Sequence, residues 1–181
     1  MTIRSAWLFL LLVPAAAFAR DWQVDPAGSS LTFKGSYQGE GFDGRFKRFD
    51  AKIRYDEADL ANAKFDVEVD LASADTDNTE RDETLLGSDF FATSQFPKAH
   101  FVTQSFEKTA NGTVAHGTLT LRDQTRPVTL AVTFAASGDE ATLDVHTTIK
   151  RADFGIGAGD DWADVGTDVP VSAHLVLRAQ P

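Results

Sequence analysis

The sequence predicts an all-β domain of eight or nine antiparallel strands with one short helical insert. Three observations carry that reading. Apolar residues recur at every second position along most of the chain, short turn signals interrupt them, and only one segment has the chemistry of a helix start.

Taken in order, Leu31, Phe33, Gly35 and Tyr37 alternate with Thr32, Lys34, Ser36 and Gln38. A glycine-rich turn is expected around Gly39 to Gly44. After it, Phe49, Ala51, Ile53 and Tyr55 alternate with Asp50, Lys52 and Arg54, and the out-of-phase Phe46 predicts a bulge near Lys47 and Arg48. KFDVEVDLAS places Phe65, Val67, Val69 and Leu71 on one face and Asp66, Glu68 and Asp70 on the other. AHFVTQSF and GTLTLRD, the latter with Leu119 and Leu121, add two strands. The runs Val128-Leu130-Val132-Phe134, Leu143-Val145-Thr147-Ile149 and Val169-Val171-Ala173-Leu175-Leu177 repeat the pattern. One dry and one wet face is the mark of antiparallel strands. Turns are expected at Asn111-Gly112, Asp123-Gln124 and Ser137-Gly138, with Pro127 at the start of its strand, where a missing N–H does no harm.

The helical insert is expected over residues 79–88. Thr79 followed by Asp82 resembles a capping box, and the acids in the first turn of TERDETLL suit the helix dipole. A second turn carrying Phe90 and Phe91 follows. This many strands makes a sandwich or a barrel, and the pattern alone leaves both open; a phenylalanine-rich excursion points to something covered at a mouth.

Residues 1–19 read as a secretory signal peptide. Arg4 precedes an apolar run too short to span a bilayer, and Ala17-Phe18-Ala19 matches the cleavage pattern, so the mature chain is expected to start at Arg20 in the periplasm. No cysteine follows the run, or occurs anywhere, so burial alone must hold the fold. Without Arg4 the chain has 16 basic against 27 acidic residues, a net charge of −11, which repels nucleic acid and anionic headgroups. Twelve phenylalanines remain beyond the leader, against two tyrosines. Phenylalanine has no polar handle, so the bias favours surfaces that stay dry, whether an ordinary core or a ligand chamber.

Trp22-Gln23-Val24-Asp25-Pro26, Gly44-Arg45-Phe46, Arg81-Asp82 with Phe90-Phe91, Gly117-Thr118-Leu119 and Asp153-Phe154-Gly155, in that order, resemble the motifs of the YceI-like family of bacterial periplasmic lipid-binding proteins. The opening Trp22-Gln23-Val24-Asp25-Pro26 with Ser29 or Ser30 and Phe33 is similar to that family's W-x-V-D-P…S…F. Gly44-Arg45-Phe46 with Phe49 resembles its G-x-F strand. Thr76, Arg81-Asp82, Leu85, Phe90-Phe91, Pro97 and Phe101 resemble its longest motif. Gly117-Thr118-Leu119-Thr120-Leu121 with Arg126-Pro127-Val128, and Asp153-Phe154-Gly155-Ile156 with Val165-Gly166 and Val169, complete the set. One departure is Asp123-Gln124-Thr125, where the family often has Gly-Val-Thr.

The resemblance implies an extended, lipocalin-like antiparallel β-barrel of about eight strands whose lumen holds a polyisoprenoid chain. An isoprenoid quinone or a prenyl pyrophosphate is the implied ligand, with no covalent cofactor, and a b561-type membrane cytochrome is an implied partner. Each buried methylene is worth roughly 0.8 kcal/mol, so a long tail binds by burial alone, with length selected and the head read loosely. Alternation then nominates the inward residues Phe33, Tyr37, Phe49, Ile53, Phe65, Val67, Val69, Leu119, Leu121, Leu130 and Val132, with Leu85, Phe90, Phe91, Phe96 and Phe101 at the insert. For a charged head group the candidate cations are Arg81, Lys47 and Arg48; a quinone needs none. The chain is expected to be a monomer or homodimer.

No catalytic pattern competes with this reading. The chain has no cysteine nucleophile, G-x-S-x-G elbow or glycine-rich phosphate loop, and no enzymatic activity is expected. DTDNTERDETLL fails as a calcium loop, since Glu80 and Leu86 stand where glycine and a bidentate glutamate are needed. GAGDDWADVGTD reads as a solvated acidic loop. The histidines His100, His116, His146 and His174 are scattered, so no metal site is expected. The reading from another class is an interaction module for a membrane redox partner, with a filled core; a cryptic hydrolase is a third.

Overall fold

The computed structural model describes residues 19–180, so the expected leader lies outside the described residues except for Ala19. The strands are β1 (Arg20–Tyr37), β2 (Glu40–Phe46), β3 (Phe49–Tyr55), β4 (Lys64–Asp70), β5 (Ala74–Asp75), β6 (Lys98–Thr109), β7 (Gly112–Leu121), β8 (Gln124–Ser137), β9 (Glu140–Lys150) and β10 (Asp168–Ala179). The one α-helix among the described residues, α1, spans Thr79–Leu86. Eight strands close into a barrel in the order β1, β3, β4, β6, β7, β8, β9, β10, and β10 returns to β1; every pairing is antiparallel. The alternatives left open by periodicity are thereby decided for the barrel. β2 and β5 are additions outside the ring, β2 pairing with the second half of β1 and β5 with β2.

Two sequence expectations change here. From Glu40 to Gly44 the chain is a strand, and the turn is confined to Gln38 and Gly39, both at positive φ, as a tight hairpin requires. Lys47 and Arg48 form the corner between β2 and β3 instead of a bulge, which is why Phe46 and Phe49 can both face inward despite their opposite parity. Pro127 lies inside β8, opposite Thr118, yet β8 meets β9 only from Ala131 onward, so its missing N–H faces no ladder.

The helix is capped one residue earlier than expected and ends sooner. Asn78 accepts a hydrogen bond from the Arg81 backbone N–H at 2.9 Å, and Asp82 instead binds back to Thr76, accepting from its backbone N–H at 2.9 Å and from its hydroxyl at 2.6 Å.

Two motif glycines have a packing reason. Gly44 pairs across the ladder with Phe33, whose ring lies flat over the place where a Cβ would stand. Gly117 is covered in the same way by the Phe101 ring and by the Val102 carbonyl.

The interior divides along the barrel axis. At one end Trp22, Tyr55, Phe65, Phe106 and Phe134 interlock edge to face, with Tyr55 and Phe134 centroids 4.8 Å apart and Phe65 and Phe106 4.9 Å apart. The Trp22 indole N–H donates to the Tyr55 carbonyl at 2.9 Å, whereas the buried Tyr55 hydroxyl has no hydrogen-bond partner among the described residues. The other end is closed by Leu85, Phe90 and Phe91 of the insert together with Phe154 and Ile156.

Candidate functional site

Between the aromatic plug and the capped end lies a cavity of about 240 Å³. It touches 33 residues, and apart from Thr147 and Arg151 every side chain or backbone lining it is apolar. Its lining runs from Phe65 and Leu143 at the plugged end to Leu85 and Phe90 at the cap, so the cavity extends along the barrel axis. The inward side chains explain how it arises. Phe65, at the plugged end of β4, is fully buried, whereas Val67 and Val69, pointing the same way, remain only half-buried because their free surface faces the cavity.

The expected lining is mostly brought together. Phe33, Phe49, Ile53, Phe65, Val67, Val69, Leu85, Phe90, Phe91, Phe101, Leu119, Leu121 and Leu130 all border this one cavity. Three expectations are corrected. Tyr37 has the inward parity but lies past the rim, at the β1–β2 hairpin, and is 47% exposed. Phe96 is half-buried in the turn after the insert and does not reach the cavity, and Val132 is buried within the packed end, where no space remains.

The three candidate cations do not meet at the cavity. Arg81 donates to the Thr76 hydroxyl at 2.9 Å and to its carbonyl at 3.1 Å, and its guanidinium lies 4.2 Å from the centre of the Phe42 ring. Lys47 is 3.0 Å from Asp75, and Arg48 is 2.9 Å from Asp70, both on the outer wall. Lys47 and Arg45 together hold the Asp75 carboxyl below its usual range, and this ion-paired network occupies the stretch that superficially resembles a calcium loop.

Sequence reasoning missed the cap. The acidic segment 157–168 is not a free loop: Val165 lines the cavity, as does Ile156 just before the segment, and Trp162 packs edge to face on Phe90 with centroids 4.8 Å apart, while Asp160, Asp161 and Asp164 point to solvent. The Gly157 N–H donates to the Asp89 carbonyl at 2.6 Å. Arg122, in the β7–β8 turn, donates to the carbonyls of Phe90 at 3.0 Å and Gly155 at 2.7 Å.

Arg151 organises that cap. It is 8% exposed, and its five N–H donors go to the carbonyls of Gly166 (3.0 Å), Ile156 (2.8 Å), Gly157, Trp162 (3.0 Å) and Val165 (2.9 Å). No ion pair among the described residues includes it. The cavity therefore feels its charge but is offered no free donor. A signal for it was present: Leu143, Val145, Thr147 and Ile149 set an inward phase that puts Arg151 on the apolar face.

A model of the YceI-like domain matches residues 22–177. The UPF0312 protein of Shewanella baltica (strain OS155 / ATCC BAA-1091) is 35% identical over 177 residues, covering 92% of this chain and 88% of its own. Among solved structures, BcnA of Burkholderia cenocepacia superposes with a TM-score of 0.80 at 30% identity, over 85% of this chain and 99% of that one. A polyisoprenoid binding domain from Saccharophagus degradans, implicated in plant cell wall breakdown, matches with a TM-score of 0.67 over 91% of this chain and 100% of its own; at 18% identity that likeness speaks for the fold alone. With a family match across nearly all of the barrel and a relative of this similarity, the chain belongs to the YceI-like domain family.

Proposed function

We propose that this protein is a periplasmic, non-enzymatic carrier or reservoir for a long-chain isoprenoid lipid, an isoprenoid quinone or a prenyl pyrophosphate, held in the barrel lumen. The observation that carries this reading is the apolar cavity of about 240 Å³ between plug and cap. A slender tail gains affinity there through burial alone, and a lining with two polar residues gives a bulky or hydrated ligand nothing to bind. The family resemblance of the motifs implies the same ligand shape.

The competing reading, an interaction module with a filled core, requires inward side chains that interlock along the whole axis. They do so only at the plugged end. Organic extraction of the purified protein followed by mass spectrometry tests the proposal. A stoichiometric prenyl lipid is the expected result; an empty extract, together with failure to take up added quinone or prenyl alcohol, overturns it.

A further inference from the structure

The lumen is closed at both ends, but its wall is not continuously paired. β1 pairs with β3 only from Arg20 to Trp22, and with β2 only from Thr32 onward. Between these ladders β1 has no strand partner on that side, and β3 has none on the same side from Phe49 to Lys52. β1 is irregular here on its other side as well, its register against β10 shifting between Asp25 and Ser30. A groove of about 960 Å³ fills the gap, with Val24 and Ser30 on one bank and Asp50 and Lys52 on the other.

This groove and the inner cavity share a wall. Phe46, Phe49, Ala51 and Ile53 border both, so along the gap the barrel is one side chain thick. The groove also has a charge of its own. Arg45, Lys47, Arg48, Lys52 and Lys98 face Asp21, Asp50, Glu68 and Asp70, a near balance in a chain whose net charge is −10. Arg48 and Lys98 are paired with Asp70 and Glu68, whereas no ion pair among the described residues includes Lys52.

We propose that the unpaired gap between β1 and β3 is a side portal, through which a single-chain amphiphile passes its tail into the lumen while its polar head stays in the groove beside Lys47, Arg48 and Lys52. The inference rests on the lipid-binding reading above. Its physical basis is a comparison of the three ways in. Opening the cap breaks the Arg151 bonds and the links from Asp89 and Arg122; opening the plug disrupts an aromatic cluster and the Trp22 bond. Parting the gap breaks no strand ladder, because none is there, and the aromatic contacts it disturbs are those of Phe46 with Phe33 and Phe91. A head left in a water-filled polar groove avoids the desolvation that a dry lumen would impose.

Because the chain has no cysteine, introduced pairs can be bridged after folding. Ser30→Cys with Asp50→Cys spans the portal, and Ser88→Cys with Ala158→Cys spans the cap; each pair is closed with bismaleimides of increasing length until mass spectrometry shows full bridging. The readout is transfer of preloaded pyrene-tipped hexadecanoic acid to phosphatidylcholine vesicles. Bridging the portal is expected to slow transfer about tenfold or more while bridging the cap changes it less than about twofold. Slowing by the cap bridge with free transfer through the bridged portal overturns the proposal, as does free transfer in both. An unbridged protein that binds no probe overturns the lipid-binding reading itself, and the portal with it.

Discussion

The Trp162 indole N–H donates to the Asp89 carboxylate across 3.1 Å, joining a loop that precedes the last strand to a turn that follows α1. Two segments 73 residues apart thereby form one lid over the cavity. Trp162→Phe keeps an aromatic ring near Phe90 but removes this bond. Amide exchange in residues 155–166 is expected to rise about fivefold to tenfold, the effect of one lost hydrogen bond of about 1 kcal/mol, while global stability changes little.

Arg151→Lys should damage the same lid more severely. Lysine retains the charge but has three donors on one nitrogen and cannot reach five carbonyls around a planar fork. A loss of about 2–4 kcal/mol in denaturant unfolding is expected, with early proteolysis between residues 155 and 166. An unchanged midpoint would mean that the carbonyls find other partners.

The lumen assignment is tested by Val67→Arg on β4 and Phe90→Asp at the cap, each placing a charge against the cavity. Both are expected to abolish lipid retention in the extraction assay while the circular dichroism of the barrel persists. Two folded variants that carry full lipid would show that these side chains do not line the ligand.

Gly117→Ala should be costly in spite of its size. A methyl group there meets the Val102 carbonyl and the Phe101 ring, and the carbonyl belongs to a paired strand that cannot move aside. A fall of about 1–3 kcal/mol is expected from thermal or denaturant melts, typical of overpacking at a fixed site.

The His100 ring nitrogen, 2.8 Å from the Asp66 carboxylate, holds that acid below its ordinary value of 3.8. A carboxyl whose folded value is depressed stabilises the fold above its unfolded value, and loses that contribution as pH falls through the folded one. The melting temperature of the native protein should therefore exceed that of Asp66→Asn above the ordinary carboxyl range, and the gap should close as pH falls through the depressed folded value. A difference that persists at low pH would assign the effect to packing.

Much of the barrel was legible in the chain because its strands obey a strict parity. KFDVEVD places Phe65, Val67 and Val69 on one side with no competing period, and all three point into the lumen. Legibility failed where local rules and tertiary placement part. Tyr37 has the correct parity but stands beyond the rim, Val132 has it but lies where the core is already full, and Gly41 and Gly44 look like part of a turn although they sit in β2. Gly44 is needed for cross-strand contact with the Phe33 ring, a reason invisible to local turn statistics.

The sequence by itself determined the strand faces, the single helical insert, the absence of covalent staples and the family, since each follows from residues near one another in the chain. Only the tertiary structure decided that the inward side chains interlock at one end and leave space in the middle, that Arg151 and an acidic loop form the lid, and that β1 and β3 part along one seam. These features arise from residues far apart in the chain, and whether opposing side chains meet or miss across a lumen depends on barrel closure and shear, which no local pattern encodes.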